Sequence, residues 1–190
     1  MTNWKTRSRI YSFLRHIFPA NLFFKEECDA IARFLAAIPE APKTLLDLGT
    51  GTGDSLHLVK NAQKRVLLDH SWSMLSRVKC GTTDYKVIGD LESLPLKSGQ
   101  FDIVSCIGAS EYVAGKAALL RQIFRVLKPG GHALVTFSPK SWYTTLRNLL
   151  GIRIYPLSES TVQDLVTAQS FYIVKASRTR MQSQFLLQKL

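Results

Sequence analysis

One stretch of eleven residues constrains this chain more than any other: Thr44-Leu-Leu-Asp-Leu-Gly-Thr-Gly-Thr-Gly-Asp54. An apolar run meets a turn with glycine at every second position, Gly49, Gly51 and Gly53. Residues 45–48 are apolar apart from Asp47 and bounded by turn formers, which predicts a buried parallel strand. Glycine lets the backbone turn sharply and approach a ligand that a Cβ would block. Residues 55–60 are expected to open a helix whose N-terminal amides face that turn. The spacing also selects the ligand. A dinucleotide fingerprint places glycine at its first, third and sixth positions, and here the sixth is Asp54. A carboxylate there suits a helix dipole and not a pyrophosphate. A ligand with a cationic centre and no phosphate fits better; a tight strand-to-helix turn without a ligand is the plainer reading.

Around this turn the pattern alternates. Residues 7–18 carry Ile10, Phe13, Leu14, Ile17 and Phe18 at helical spacing, ended by Pro19. Residues 25–38 form a second stripe through Cys28, Ile31, Phe34, Leu35 and Ile38. Beyond the glycine turn, strands are expected over 65–69, 84–88, 101–107 and 132–137, with helices over 71–79, 116–127 and 158–170. Ser71 or Ser73 is the expected cap of the first of these helices. Residues 91–100 read as a loop and 128–131 as a turn, while 171–178 and 183–189 alternate like a closing antiparallel pair. This succession predicts an α/β fold: a Rossmann-like, doubly wound, mostly parallel seven-stranded sheet with helices on both faces and a C-terminal antiparallel strand pair. Residues 1–190 read as a single domain, with 1–40 supplying N-terminal helices over the substrate region and 41–190 the core. Ligands of such sheets sit beyond the carboxyl ends of the strands, at the switch point.

Charge narrows the partners. The net charge is +11 and uneven: residues 1–25 hold Lys5, Arg7, Arg9, Arg15 and Lys25 with no acid, and residues 140–190 hold seven basic residues against Glu159 and Asp164. Basic ends suit membrane headgroups, nucleic acid or an acidic substrate, or serve only as a solubilising surface. No apolar run approaches the roughly 18 residues that span a bilayer. No secretory signal pattern is seen, although the Arg-rich start shares features with organelle transit peptides. Cys28, Cys80 and Cys106 lack metal-ligand spacing, so reduced thiols, no metal site and a cytoplasmic location are expected.

Three further features fall at the predicted strand ends. Asp69 closes the second strand about 20 residues after Gly49, where a carboxylate accepts ribose hydroxyls. Asp90 follows the third strand, placed to hydrogen-bond an adenine amino group. Ile107-Gly108-Ala109 ends the fourth, where backbone carbonyls face a ligand. With these in order, the chain resembles the class I S-adenosylmethionine-dependent methyltransferases, and most closely the type 11 group of small-molecule enzymes that includes ubiquinone and menaquinone methyltransferases. The resemblance rests on Leu45-Leu-Asp-Leu-Gly-Thr-Gly-Thr-Gly53, Leu68-Asp-His-Ser-Trp-Ser-Met-Leu75, Gly89-Asp-Leu-Glu-Ser-Leu-Pro-Leu96, Phe101-Asp-Ile-Val104 and Leu127-Lys-Pro-Gly-Gly131. It implies S-adenosylmethionine as cofactor. Gly49, Gly51 and Gly53 would wrap its methionine end, with Asp47 nearby. Asp69 would take the ribose hydroxyls, His70 would lie against the adenine, and Asp90 with Leu91 would read the adenine edge. Ile107 and Gly108 would line the same site, while Met74 and Leu75 read as core.

Methyl transfer from a sulfonium needs alignment and exclusion of water; a base is required only where the acceptor must lose a proton. Glu111, Tyr112, Tyr11 and His16 are the candidates. Type 11 relatives often hold a histidine near Glu111 or Tyr112, and this chain lacks it; Glu111 also suits a plain helix-start role. After the fifth strand, Trp142, Tyr143, Leu146, Leu149 and Leu150 form an apolar face flanked by Lys140, Arg147 and Arg153. Two basic amphipathic helices at one mouth suit peripheral contact with an anionic membrane, and equally a lid. A small, lipophilic or membrane-associated acceptor is the leading expectation. Methylation of RNA or another macromolecule is the alternative, and an inactive adaptor of the same fold a third reading.

Overall fold

The computed structural model describes residues 20–38, 42–59 and 62–190. The helix expected over 7–18, with Tyr11 and His16, lies outside these residues. Helix α1 (Ala20–Leu35) leads into strands β1 (Thr44–Leu48) and β2 (Lys64–Asp69), a one-turn helix α2 (Trp72–Leu75), then β3 (Asp84–Ile88) and β4 (Phe101–Cys106). A 3₁₀ turn (Ser110–Tyr112) and helix α3 (Lys116–Val126) precede β5 (Leu127–Phe137). Helices α4 (Trp142–Leu149) and α5 (Glu159–Ala168) and strands β6 (Phe171–Arg178) and β7 (Ser183–Lys189) complete the chain. The sheet order is β3-β2-β1-β4-β5-β7-β6. Strand β7 runs antiparallel to β5 and β6, and the other pairings are parallel. This is the expected doubly wound sheet, with its switch point between β1 and β4.

Alternation along the strands sorts the core onto two faces. Leu46, Leu48, Val66, Leu68, Val104 and Val135 pack with Leu119, Leu120 and Ile123 of α3 and Val162 and Val166 of α5. On the other face Leu134 and Leu186 meet Ile31 and Phe34 of α1, while Leu67 packs on Leu56, Leu75 and Val78. Each fully buried leucine contributes roughly 1.5–3 kcal/mol of transfer free energy. The amino ends of the strands are clamped by charge. Arg65 holds both carboxylate oxygens of Asp84 at 2.6 Å, tying β2 to β3. Asp102 accepts from Lys128 at 2.7 Å and from the Thr44 hydroxyl at 2.8 Å, tying β4 to β5 and β1. The carboxyl ends are left to the site.

Four expectations about local structure change. No helix forms over 55–59. The segment is a chain of tight turns, with Leu56 N–H donating to Gly53 O at 3.1 Å and Leu58 N–H to Ser55 O at 3.0 Å. Leu56 and Val59 both stay buried, because their three-residue spacing suits a 3₁₀ path as well as an α-helix. The helix expected over 71–79 is the single turn α2. The Ser71 hydroxyl pairs with the Ser73 hydroxyl at 2.9 Å instead of capping a backbone amide. The turn at 128–131 lies within β5: Phe101 pairs with Leu127 and Ile103 with His132, so the four intervening residues bulge from the strand. The stripe expected over 25–38 belongs to a helix that starts and ends earlier, and Ile38 lies in the turn after it.

Candidate functional site

The carboxyl ends of β1 and β2 meet at the glycine turn. Gly49 N–H and Thr50 N–H both donate to Leu68 O, at 2.8 and 3.1 Å, so the turn folds back over the neighbouring strand. Gly49 has a φ of +68°, and a Cβ there would lie 2.2 Å from Ala109 Cβ at the end of β4. Glycine is required at 49 for both reasons. Gly51 N–H donates to Asp69 Oδ2 at 2.9 Å, and Ser71 N–H to Asp69 Oδ1 at 2.9 Å. His70 Nδ1 lies 3.3 Å from the same Oδ1. Burial works to raise the Asp69 carboxyl, but hydrogen bonds from His70, Ser71 and Gly51 outweigh it and hold it below the ordinary carboxylate range. The His70 imidazole is raised in turn, first by its bond to Asp69.

Asp47 lies beneath the turn. It faces Ser105 across the β1–β4 pairing, and the Ser105 hydroxyl donates to Asp47 Oδ1 at 2.6 Å. Asp47 Oδ2 is buried and has no hydrogen-bond partner among the described residues. Burial pushes this carboxyl up to about 6, against the stabilising bond from Ser105. An orphaned buried carboxylate oxygen at a strand end suits a ligand that brings a cation or an N–H donor.

The carboxyl ends of β4 and β5 carry a second polar cluster. Gly108 N–H donates to the Thr136 hydroxyl at 2.9 Å. Glu111 is buried, accepting from the Ser138 hydroxyl and from Arg147 of α4 at 2.6 and 3.2 Å. Arg147 also donates to the Tyr112 hydroxyl at 3.0 Å. Below them the buried Lys116 donates to the carbonyls of Ser110 and Val113, which fixes the turn that bears Glu111 and Tyr112. Burial pulls the Lys116 ammonium down to about 8.

The structure therefore brings Asp47, Gly49, Gly51, Asp69 and His70 together, with the half-buried Leu91 3.9 Å from a Cβ placed on Gly49. Asp90 is exposed beyond β3, its Oδ1 accepting from Glu92 N–H at 2.8 Å. A Cβ on Gly53 would lie 3.0 Å from Val78 Cγ1, so this glycine serves packing against the segment after α2. Ile107 packs with Leu134, Leu186 and the α1 face. Ser105, Ser138 and Lys116 are additions that sequence reasoning missed, and only Ser105 had a signal, a hydroxyl inside an otherwise apolar strand. Arg147, expected to flank the apolar face beside Lys140 and Arg153, instead turns inward to Glu111 and Tyr112. A cavity of about 540 Å³ opens past the last glycine of the turn, among Thr52, Gly53, His57, Arg65, Arg77 and Thr83. It lies beside the turns over 51–59, at the amino ends of β2 and β3, and holds none of the carboxylates described above. Among the described residues, no group of three His, Cys, Asp or Glu side chains could hold a metal ion, and no helix is long and apolar enough to cross a membrane.

Residues 46–135 match the family described as "Methyltransferase domain". The chain is 31% identical over 162 residues to a ubiquinone/menaquinone biosynthesis C-methyltransferase, UbiE, of Shewanella sp. (strain ANA-3), covering 77% of this chain and 63% of that protein. It is 34% identical over 119 residues to a malonyl-[acyl-carrier protein] O-methyltransferase of Marinomonas sp. (strain MWYL1), covering 58% of this chain and 43% of that protein. The chain thus spans less than two thirds of the length of these relatives. Among solved structures it is similar to the magnesium protoporphyrin IX methyltransferase, ChlM, of Synechocystis PCC 6803 with bound SAH, with a TM-score of 0.71, 18% identity and coverage of 89% of this chain and 84% of that one. At that identity the likeness is one of fold.

Proposed function

We propose that this chain is a class I S-adenosylmethionine-dependent methyltransferase of the type 11 group, and that it transfers the methyl group of S-adenosylmethionine to a small, lipophilic acceptor. The observation that carries the cofactor assignment is the orphaned Asp47 Oδ2 beneath the glycine turn. When bound, S-adenosylmethionine supplies an activated methyl group on a sulfonium. The residues fit its parts. Gly49, Gly51 and Gly53 form the turn for the methionine end, and Asp47 offers an unpaired anionic oxygen for its ammonium. Asp69 is held ionised by two backbone amides and keeps lone pairs for ribose hydroxyls. His70, Asp90 and Leu91 would meet the adenine, with Ile107 and Gly108 along the β4 side.

Chemistry is asked of the chain in only a limited sense. It must hold donor and acceptor in line and keep water out. Both Glu111 oxygens are engaged by Arg147 and Ser138, so we assign Glu111 to anchoring Arg147 and α4 at the acceptor wall. Tyr112, bonded to the same Arg147, is the remaining candidate base among the described residues. The lipophilic class is supported by the name of the relative that acts in ubiquinone and menaquinone biosynthesis.

The test uses S-adenosylmethionine labelled in its methyl group, incubated with the protein and, separately, a total lipid extract, transfer RNA and a protein lysate. Label recovered in the organic-soluble fraction is the expected result. Label confined to RNA or to protein would overturn the acceptor class while leaving the methyltransferase reading intact.

A further inference from the structure

We propose that α4 is a docking element that seats the protein on an anionic phospholipid surface. The inference rests on the reading of the acceptor as lipophilic, and deepens it by naming where that acceptor is met. Large exposed apolar side chains concentrate in one short segment: Trp142 is 78% exposed, Leu146 42%, Leu149 80% and Leu150 69%. These positions share one helical face by spacing. The opposite face carries Thr144, which is 2% exposed and whose hydroxyl donates to Pro139 O at 3.1 Å. The helix therefore turns Thr144 and Arg147 inward and its large apolar side chains outward.

This orientation is held by specific bonds. A capping box joins Ser141 and Thr144 at the N-terminus. Arg147 is drawn inward to Glu111 and Tyr112. In the last turn of the helix, the Asn148 side chain exchanges hydrogen bonds with the backbone N–H and carbonyl of Ile154, at 2.8 and 3.2 Å. The apolar face is thus presented outward by bonds made on the other side.

Charge identifies the occupant. Lys140 and Arg153 are exposed at either end of the patch, and no acidic residue occurs between Glu111 and Glu159. Residues 1–25 of this chain carry five basic residues and no acid, so they bring charge of the same sign. A second copy of the chain would bring the same cationic patch. An anionic bilayer is the complement of both the charge and the Trp/Leu face, which is the composition of interfacial helices. Docking through α4 places the β4 and β5 carboxyl ends, joined to it through Arg147, beside the membrane. A lipophilic acceptor then reaches the site without crossing water.

The experiment is vesicle flotation of the full chain, using phosphatidylcholine with and without phosphatidylglycerol, at low and high salt. Binding is expected only to the anionic vesicles and to weaken with salt. The exposed-face variant Trp142→Ser/Leu149→Ser is expected to lower partitioning by about tenfold or more, with S-adenosylhomocysteine affinity unchanged. A second readout removes dependence on that variant. With Trp4→Phe and Trp72→Phe in place, Trp142 is the sole indole, and its emission should shift to the blue and lose accessibility to iodide on anionic vesicles. Failure of the wild-type chain to float overturns the proposal. So does flotation of the double variant at wild-type level, or a Trp142 already shielded without vesicles, which would mean that the chain or a second copy covers the face. Vesicle binding with no transfer to lipophilic acceptors would instead count against the proposed acceptor class.

Discussion

Asp47 has one oxygen bonded to Ser105 and one orphaned, and its carboxyl is raised to about 6 by burial. Its folded-state pKa lies above the unfolded value of about 3.9, so the folded state binds this proton more tightly. The stability it contributes therefore falls as pH rises from about 4 to about 6, by on the order of 2–3 kcal/mol. A ligand cation against Asp47 would favour the ionised form and expel that proton. We expect S-adenosylmethionine binding to release about half a proton at pH 6, well below the range in which the ligand's own α-ammonium titrates, read by calorimetry in buffers of different ionisation enthalpy. Asp47→Asn should abolish this release; release that persists in Asp47→Asn would place the proton elsewhere. Asp69 has the opposite sign. Its lowered folded value contributes stability that is present above the unfolded pKa and lost as pH falls through the folded one. At the second cluster, Arg147→Ala leaves the buried Glu111 without its cation and should lower stability by about 3–5 kcal/mol in chemical denaturation. Glu111→Gln/Arg147→Met should recover much of that loss, because neither charge is then buried alone.

The elements differ in what they bury, and substitutions should follow. Leu119 of α3 is fully buried between the sheet and α5, so Leu119→Ala should cost about 2–5 kcal/mol. Leu149 of α4 is 80% exposed, and Leu149→Ser should change stability by less than about 0.5 kcal/mol. A large loss at Leu149, measured by the same denaturation, would mean that α4 packs inward. The central strands are legible in the sequence as short apolar runs between turn formers, as Leu45 to Leu48 is before Gly49, and the last two by their alternation over 171–178 and 183–189. Helices are less so. Leu56 and Val59 sit three apart, a spacing shared by 3₁₀ and α paths, and the serines around α2 bond to each other without capping it. The apolar stripe of α4 is readable as a stripe, but periodicity does not say which face turns inward. That depends on Arg147 finding Glu111, 36 residues earlier in the chain. At the site, Asp47, Gly49 and Asp69 are readable because turn chemistry and strand order place them at one sheet edge. Ser105 becomes meaningful only once the β1–β4 register sets it opposite Asp47.

For the whole molecule, a doubly wound sheet predicts a gradient of stability from its centre to its edges. Strands β1 and β4 are paired on both sides and buried on both faces, whereas β3 is an edge strand with Tyr85 and Ile88 exposed. Hydrogen exchange should be slowest over 45–48 and 103–106 and fastest over β3 and the turns at 50–59. Early exchange of β1 would contradict this order of packing. That same centre carries the site, so the rigid part of the fold holds the glycine turn, Asp47 and Asp69 in fixed relation. The central claim is that these groups bind S-adenosylmethionine. Its most direct test is calorimetric titration with S-adenosylhomocysteine, on the wild-type chain and on Asp69→Ala. The account predicts wild-type affinity on the order of micromolar, about −8 kcal/mol, and loss of at least about tenfold in the variant, as expected when charge-assisted ribose hydrogen bonds are removed. No binding by the wild-type chain, or equal binding by Asp69→Ala, would contradict it.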